Sequence, residues 1–177
     1  MDEAAPYETL TKLEAAERQL RVSIRLLFER RDLVAVHTLA AAAQEVLRDL
    51  GRPLGFKSIF KGSEIIRPEY RKEFDQLFNR AQNFLKHADR DRDDELKFYY
   101  EATKFYLLDA ALLYNHITGR QFPEITGLFV WFSVKFPDLL VDGPFKHRIA
   151  ALSSEGVNPD DFQLLLVAID LYGKKQP

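Results

Sequence analysis

Cysteine is absent from this chain of 177 residues. Its absence excludes disulfide bonds, a thiolate metal site and catalysis by a cysteine nucleophile. A chain without disulfides suits a reducing compartment, and we expect a cytoplasmic protein. The first residues, MDEAAPYETL, are acidic and lack the apolar stretch of a signal peptide. We therefore expect no secretion signal.

Long apolar runs and an excess of charge are missing as well. The longest apolar stretch, GLFVWFSVKF, is interrupted by Lys135 and is far shorter than the roughly 18 residues that a membrane-spanning helix needs. Lys and Arg number 25 against 27 Asp and Glu, for a net charge of -2. No global field draws the chain to nucleic acid or anionic lipid, so binding to a polyanion must be local and no membrane partner is expected.

Alternation of apolar and polar residues with a period of two, typical of strands, is also nearly missing. Apolar residues instead recur every three or four positions, which is the pattern of amphipathic helices. The apolar content of 46% is enough to bury one core. We predict an all-α, single-domain helical bundle of about six to seven helices over residues 1–177, in which residues 1–118 form the main four-helix bundle and residues 119–177 pack on it.

Caps and breakers place the helices along the chain. Asp32 and Asn158 are good N-caps, Pro68 suits a first turn, and Gly119 suits a helix end. The glycine- and proline-containing segment 51–67 is predicted to be a loop with one short helical turn. The predicted helices are 7–30, 32–51, 68–88, 95–119, 124–136, 145–152 and 158–173.

The segment RAQNFLKH carries the residues with the most chemistry. Arg80, Asn83 and His87 are separated by three and seven positions, so a helix presents them along one side. A guanidinium can bind a phosphate bidentately, a carboxamide can orient it, and an imidazole can move a proton near neutral pH. This stripe is our first candidate site.

At this segment the chain resembles the HEPN family of small helical-bundle domains, whose signature is an arginine and then a histidine near the end of a long helix. The alanine-rich stretch AVHTLAAAAQEVLRDL resembles the family helix that packs against the motif helix. The resemblance implies a HEPN-like core, metal-independent RNA cleavage by Arg80, Asn83 and His87, and two copies that meet across a homodimer cleft. RNA or a nucleotide is then the expected ligand, and an antitoxin-like protein is a further candidate partner.

Two other functions stay open. Arg80 can instead pair with an acid of a neighbouring helix and His87 can cap its own helix, in which case the chain is a non-enzymatic interaction or dimerisation module. A metal-binding bundle is a lesser alternative, because several possible ligands fall on the predicted helices, although no standard spacing links them and we expect neither metal nor cofactor. These possible ligands are His37, Gln44, Glu45, His87 and His116.

Asp109 lies among apolar residues in the helix that we expect to be the most buried. A buried carboxylate is costly unless it is paired or protonated, so it needs a partner. Arg80, His37 and His87 are the candidates that we expect. Asp109 and His37 would then either fix the packing of the helices or support the site by orienting His87.

Charged residues follow the motif directly. Lys86, Arg90 and Arg92 are candidates for a small anion-binding patch beside His87. The run DRDRDDE at 89–95 is not a calcium loop, because its sixth position is Asp94 where a glycine is needed. We predict a solvated turn whose last acids cap the following helix.

Aromatic residues cluster near the start of the C-terminal part. Their helical spacing favours a place in the core, while a ligand pocket or a partner surface stays open as an alternative. These residues are Phe129, Trp131, Phe132 and Phe136.

Overall fold

The fold was obtained as a computed structural model, which describes residues 7–61, 68–87, 89, 92–156 and 158–174. Within these ranges the chain forms seven α-helices and two single 3₁₀ turns, and no strand occurs. The predicted all-α bundle is thereby confirmed. The helices are α1 (Lys12–Phe28), α2 (Leu33–Gly51), α3 (Pro68–Lys86), α4 (Tyr100–Thr118), α5 (Pro123–Lys135), α6 (Pro144–Ser154) and α7 (Phe162–Gly173), and the 3₁₀ turns are Arg52–Leu54 and Pro137–Leu139.

Local capping explains where the first helices begin. Thr11 and Glu14 form a reciprocal capping box, in which the Glu14 N–H donates to Thr11 Oγ1 over 3.1 Å and the Thr11 N–H donates to Glu14 Oε2 over 2.8 Å. This box starts α1 five residues later than predicted. Asp32 caps α2 as predicted, because its carboxylate accepts from the N–H groups of Val34 and Ala35.

Two further predicted helix starts are wrong. The acids before α4 do not cap it: its N-cap is Tyr99, which has no capping side chain, so α4 starts five residues beyond the expected position. Asn158 does not begin α7 either, because its side chain accepts from the Asp160 N–H within a turn. Asp161 is the true N-cap of α7 and accepts from the Leu164 N–H over 3.1 Å.

The core forms where α2 packs between α1 and α4. The small side chains of Ala40, Ala41 and Ala43 are buried on α2 and let its neighbours approach closely. Larger side chains of α1 and α4 fill the space around them. Fully buried examples are Leu20, Ile24, Tyr106, Leu107 and Leu113.

The aromatic residues of α5 belong mainly to the core. Trp131 is 1% exposed and its ring lies edge-on to Phe28 and Phe162, while Phe132 is also buried. Phe129 and Phe136 are partly buried and pack against the same cluster. The expected core position is therefore correct for these residues.

An ion-pair clamp and a close contact hold α7 against the bundle. Arg25 of α1 donates to Glu124 of α5 and to Asp170 of α7, each over 2.7 Å. Gly127 of α5 leaves room for Ile169 of α7, because a Cβ at Gly127 would lie only 2.7 Å from Ile169 Cδ1. The C-terminal helices thus pack on α1 and α5. No helix in the described ranges is both long enough and apolar enough to cross a membrane.

Candidate functional site

The stripe formed by Arg80, Asn83 and His87 lies at the C-terminal end of α3. His87 directly follows the last helical residue, and its N–H still donates to the Asn83 carbonyl over 3.0 Å, so it keeps the helical register. Arg80 and Asn83 are exposed and His87 is half-buried. We call these three residues the α3 stripe.

A different side of α3 contacts α2. Gln82 is 5% exposed and its Nε2 donates to the carboxylate of Glu45, while Lys86 Nζ reaches the same carboxylate oxygen over 2.9 Å. At 100° per residue, Gln82 lies about 200° around the helix from Arg80. Arg80 therefore faces away from α2, whereas Asn83, about 100° from Gln82, lies at the edge of that contact.

The side chain of Arg80 is exposed and is not part of the core. Within the described part of the chain it forms no hydrogen bond or ion pair, so the alternative in which it pairs with an acid on a neighbouring helix has no contact to support it there. An exposed guanidinium keeps its five donors available to a ligand. Position and exposure are thus compatible with binding of an anion.

The predicted anion-binding patch is only partly in place. Lys86 pairs with Glu45 of α2, which holds the pKa of Glu45 below its usual value. Arg92 is exposed in the turn after α3, and Arg90 lies outside the described residues. The structure thus gives the Lys86 amine a carboxylate partner in place of the expected ligand.

Asp109 does have partners, but they are not the expected ones. Its carboxylate is 0% exposed and accepts from Gln44 Nε2 over 2.7 Å, from Ser58 Oγ over 2.6 Å and from the Ile59 N–H over 2.8 Å. The loop after α2 folds back over α4 and supplies two of these donors. Pairing of Asp109 with Arg80, His37 or His87 was therefore a wrong prediction.

Burial and hydrogen bonding act against each other on Asp109. Desolvation raises the pKa of the carboxyl group, and the bonds from Ser58, Gln44 and Ile59 oppose that rise. Ser58 also anchors the loop, because its Oγ accepts from the N–H groups of Phe60 and Lys61. The group is architectural: it joins α2, the loop and α4.

His37 lies in the core between α2 and α4. Its Nδ1 is 3.1 Å from Thr103 Oγ1, and its ring lies edge-on to Phe98 and Tyr106. Desolvation, with the nearby charge of Lys61, lowers the pKa of His37 to about 4. Its imidazole is therefore neutral at pH 7, and its contacts lie within the core rather than on the α3 stripe.

Lys61 is a residue that the sequence did not single out. Its Nζ donates to Gln82 Oε1 over 2.9 Å and lies 5.3 Å from the ring centre of Tyr106. Burial, with the nearby charge of Arg48, lowers the pKa of Lys61 to about 8. Lys61 thereby links the loop to α3 and α4.

The remaining candidate ligands do not converge. His116 stacks on Phe56 with ring centres 5.4 Å apart, whereas His37 packs against Phe98 and Tyr106. Among the residues that the structure describes, no group of three or more histidine and carboxylate side chains is placed to hold a metal ion. The metal-binding alternative gains no support from this geometry.

Comparison of the chain with protein-family models, with curated proteins and with solved structures found no match. The resemblance to HEPN domains therefore depends on the residues of α2 and α3 alone. We therefore infer the function from the chemistry of the side chains.

Proposed function

We propose that this chain is an RNA-directed protein whose α3 stripe binds the phosphodiester backbone and supports metal-independent cleavage. The observation that carries the proposal is that Arg80 and Asn83 are exposed at the end of α3, with the half-buried His87 next to them in the same helical register. Arg80 does not bind Asp109, whose carboxylate accepts hydrogen bonds from three other donors. The stripe is thus free to meet a ligand.

Each side chain has a chemical role in this proposal. Arg80 neutralises the phosphate by two parallel hydrogen bonds, and Asn83 orients the phosphate or the ribose hydroxyl. In cleavage the ribose 2′-oxygen bonds to phosphorus while the bond to the 5′-oxygen breaks. The 2′-hydroxyl must lose a proton and the 5′-oxygen must gain one, and His87 can perform one of these two transfers.

Partners are proposed on the same basis. The resemblance to HEPN domains implies a homodimer in which two copies of the stripe share one cleft. An antitoxin-like protein that covers the stripe is a second proposed partner. The small net charge of -2 makes the local cation at Arg80 more important for RNA binding, because no global field assists it.

The test is cleavage and binding of a labelled single-stranded RNA in EDTA. We expect His87→Ala to abolish formation of the 2′,3′-cyclic phosphate product while RNA binding persists. Arg80→Ala should weaken both binding and cleavage by at least about tenfold, as expected for loss of a charge-assisted bidentate contact.

Matched controls come from the same chain. Arg120 and His147 are exposed and lie away from α3, so Arg120→Ala and His147→Ala should behave like the wild type. Equal RNA affinity of wild type and Arg80→Ala would overturn the proposed binding. Wild-type cleavage that survives His87→Ala would overturn the proposed chemistry, and binding without any cleavage would reduce the function to RNA binding.

A second candidate function, a non-enzymatic interaction or dimerisation module, is favoured by a different observation. α7 is the most apolar helix in composition, yet much of its apolar surface is exposed. Monomeric soluble proteins rarely leave large contiguous apolar patches uncovered.

A further inference from the structure

The outer side of α7 is an exposed apolar surface. Nine of its twelve residues are apolar, and Ile169 is the only one of its described residues that is buried. Leu164 and Val167 are each 52% exposed, Leu171 is 56% exposed and Tyr172 is 50% exposed. Hydrophobic residues scattered singly over a surface are ordinary, but these four share one helix.

Three of these four residues form a continuous stripe along α7 together with Ala168. Leu164, Val167, Ala168 and Leu171 follow one another at intervals of three, one and three residues, which is the seam pattern of a helix that packs against another helix. We call these four residues the α7 seam. Phe162, Leu165, Leu166 and Ile169 occupy the opposite side and pack into the core. α7 is thus apolar on both sides, and the bundle covers only one.

The α7 seam is complementary to itself. A twofold axis between Val167 and Ala168, perpendicular to the helix, pairs Leu164 of one copy with Leu171 of the other and places Val167 opposite the small Ala168. Two leucine pairs then flank a compact centre where the backbones can approach closely.

Charge favours the antiparallel arrangement. α7 begins at the exposed acid Asp161 and is followed by the exposed Lys174. An antiparallel pair sets the acidic end of each helix beside the basic end of the other and opposes the two helix dipoles. A parallel pair would instead place like charges together.

We propose that a second copy of this chain packs antiparallel on the α7 seam to form a twofold dimer. The proposal rests on the second candidate function and does not depend on RNA binding. α7 packs on α5 and α1, whereas α3 packs on α2, so this dimer does not use the α3 stripe. The dimer face therefore differs from the shared stripe cleft that the HEPN resemblance implies.

The absence of cysteine allows a direct test by cross-linking of single-cysteine variants of the full chain. Under mild oxidation Ala168→Cys should form a disulfide-linked dimer, because two copies of residue 168 lie near the proposed axis. An equimolar mixture of Leu164→Cys and Leu171→Cys should give mainly the mixed dimer. The control Ala35→Cys, exposed on α2, should remain mostly uncross-linked.

Analytical ultracentrifugation tests the same surface without oxidation. The wild type should sediment at about twice the 20.5 kDa mass of one chain. Leu171→Glu should weaken association by at least about 100-fold, because each copy would bury an unpaired carboxylate. Val141→Glu is the control, since Val141 is 91% exposed and lies outside α7.

Circular dichroism of both glutamate variants verifies that they fold. A wild type that is monomeric at all concentrations would overturn the proposal. A monomer whose α7 binds phosphatidylglycerol vesicles would overturn it in the same way. A dimer that tolerates Leu171→Glu, or that cross-links through Ala35→Cys rather than Ala168→Cys, would also overturn it. RNA binding by the Leu171→Glu variant should equal that of the wild type, so the failure of either proposal is recognised separately.

Discussion

Asp109 is the residue whose environment most restricts the fold. Its carboxylate lies in the core and would be strongly destabilising there without donors. Gln44 comes from α2, and Ser58 and the Ile59 N–H come from the loop, so three donors from two remote segments satisfy one side chain. Asp109 thereby ties α2 and the loop after it to α4 in the core of the bundle.

Ser58 offers a test at the same scale. Ser58→Ala removes one donor to Asp109 and the acceptor of two loop N–H groups. We expect the free energy of unfolding to fall by about 1 to 3 kcal/mol, as for an interrupted buried hydrogen-bond group. Urea unfolding followed by circular dichroism measures it. Ser154→Ala, at an exposed serine of α6, should change stability by less than about 0.5 kcal/mol; equal effects would contradict the role of Ser58.

The burial of Asp109 could be predicted from the sequence, whereas its partners could not. The apolar neighbours of Asp109 indicated a buried carboxylate that needs a partner, and that is correct. The identity of the partners was not predictable, because it depends on how the loop folds over α4. A serine two residues before an N–H that it can bind is typical of a turn, and this signal at Ser58 was available but overlooked.

At the scale of elements, α7 is held by contacts on its inner side only. Arg25 bridges Glu124 and Asp170, and so links α1, α5 and α7. Glu124 is 2% exposed, and its carboxylate accepts from Arg25 and from Arg21, whose Nη1 lies 3.3 Å from Glu124 Oε2. Among the residues that the structure describes, the outer side of α7 has no equivalent ion pair, and its apolar seam is exposed.

Gly127 tests the packing of α5 on α7. Gly127→Ala in the wild type should lower the free energy of unfolding by about 1 to 3 kcal/mol, because the new Cβ meets Ile169 Cδ1 at 2.7 Å. In an Ile169→Ala background the same change should raise stability by up to about 1 kcal/mol, since alanine favours a helix over glycine. A double-mutant cycle from thermal unfolding measures both values. The same sign in both backgrounds would refute a close contact at this position.

Helix ends show where local signals suffice. Asp32 caps α2 and Gly119 ends α4 with a φ of 63°, as their residue types indicate. α4 does not begin at the acidic run, however, and α7 begins at Asp161 although Asn158 and Pro159 form an equally good signal. Several capping residues close together make a start ambiguous, and the packing of the helix selects one of them.

At the scale of the whole molecule, His37 couples stability to pH. Its pKa is lowered to about 4 in the folded chain against 6.5 when unfolded, so below pH 6.5 the unfolded state takes up a proton that the folded state refuses. The contribution of His37 is therefore complete above about pH 6.5 and is lost progressively as the pH falls towards 4.

We expect the free energy of unfolding to include a loss of about 2 kcal/mol from His37 between pH 7.5 and pH 5. Asp109 has a raised pKa and works in the opposite direction at low pH, so the wild type alone does not isolate the effect. Urea unfolding of wild type and His37→Gln at both pH values isolates it as the difference between their pH dependences. Parallel pH dependences would show that His37 does not titrate as a buried group.

The sequence by itself determined the all-α class, most of the helix positions and the presence of an arginine, an asparagine and a histidine at helical spacing on one helix. These depend on periodicity, caps and breakers, which act between residues a few positions apart. Only the tertiary structure decided that Arg80 faces away from α2, that Gln44 and Ser58 satisfy Asp109, and that the apolar seam of α7 is exposed. Each of these depends on which remote surfaces meet, and local hydrogen bonding does not encode that choice.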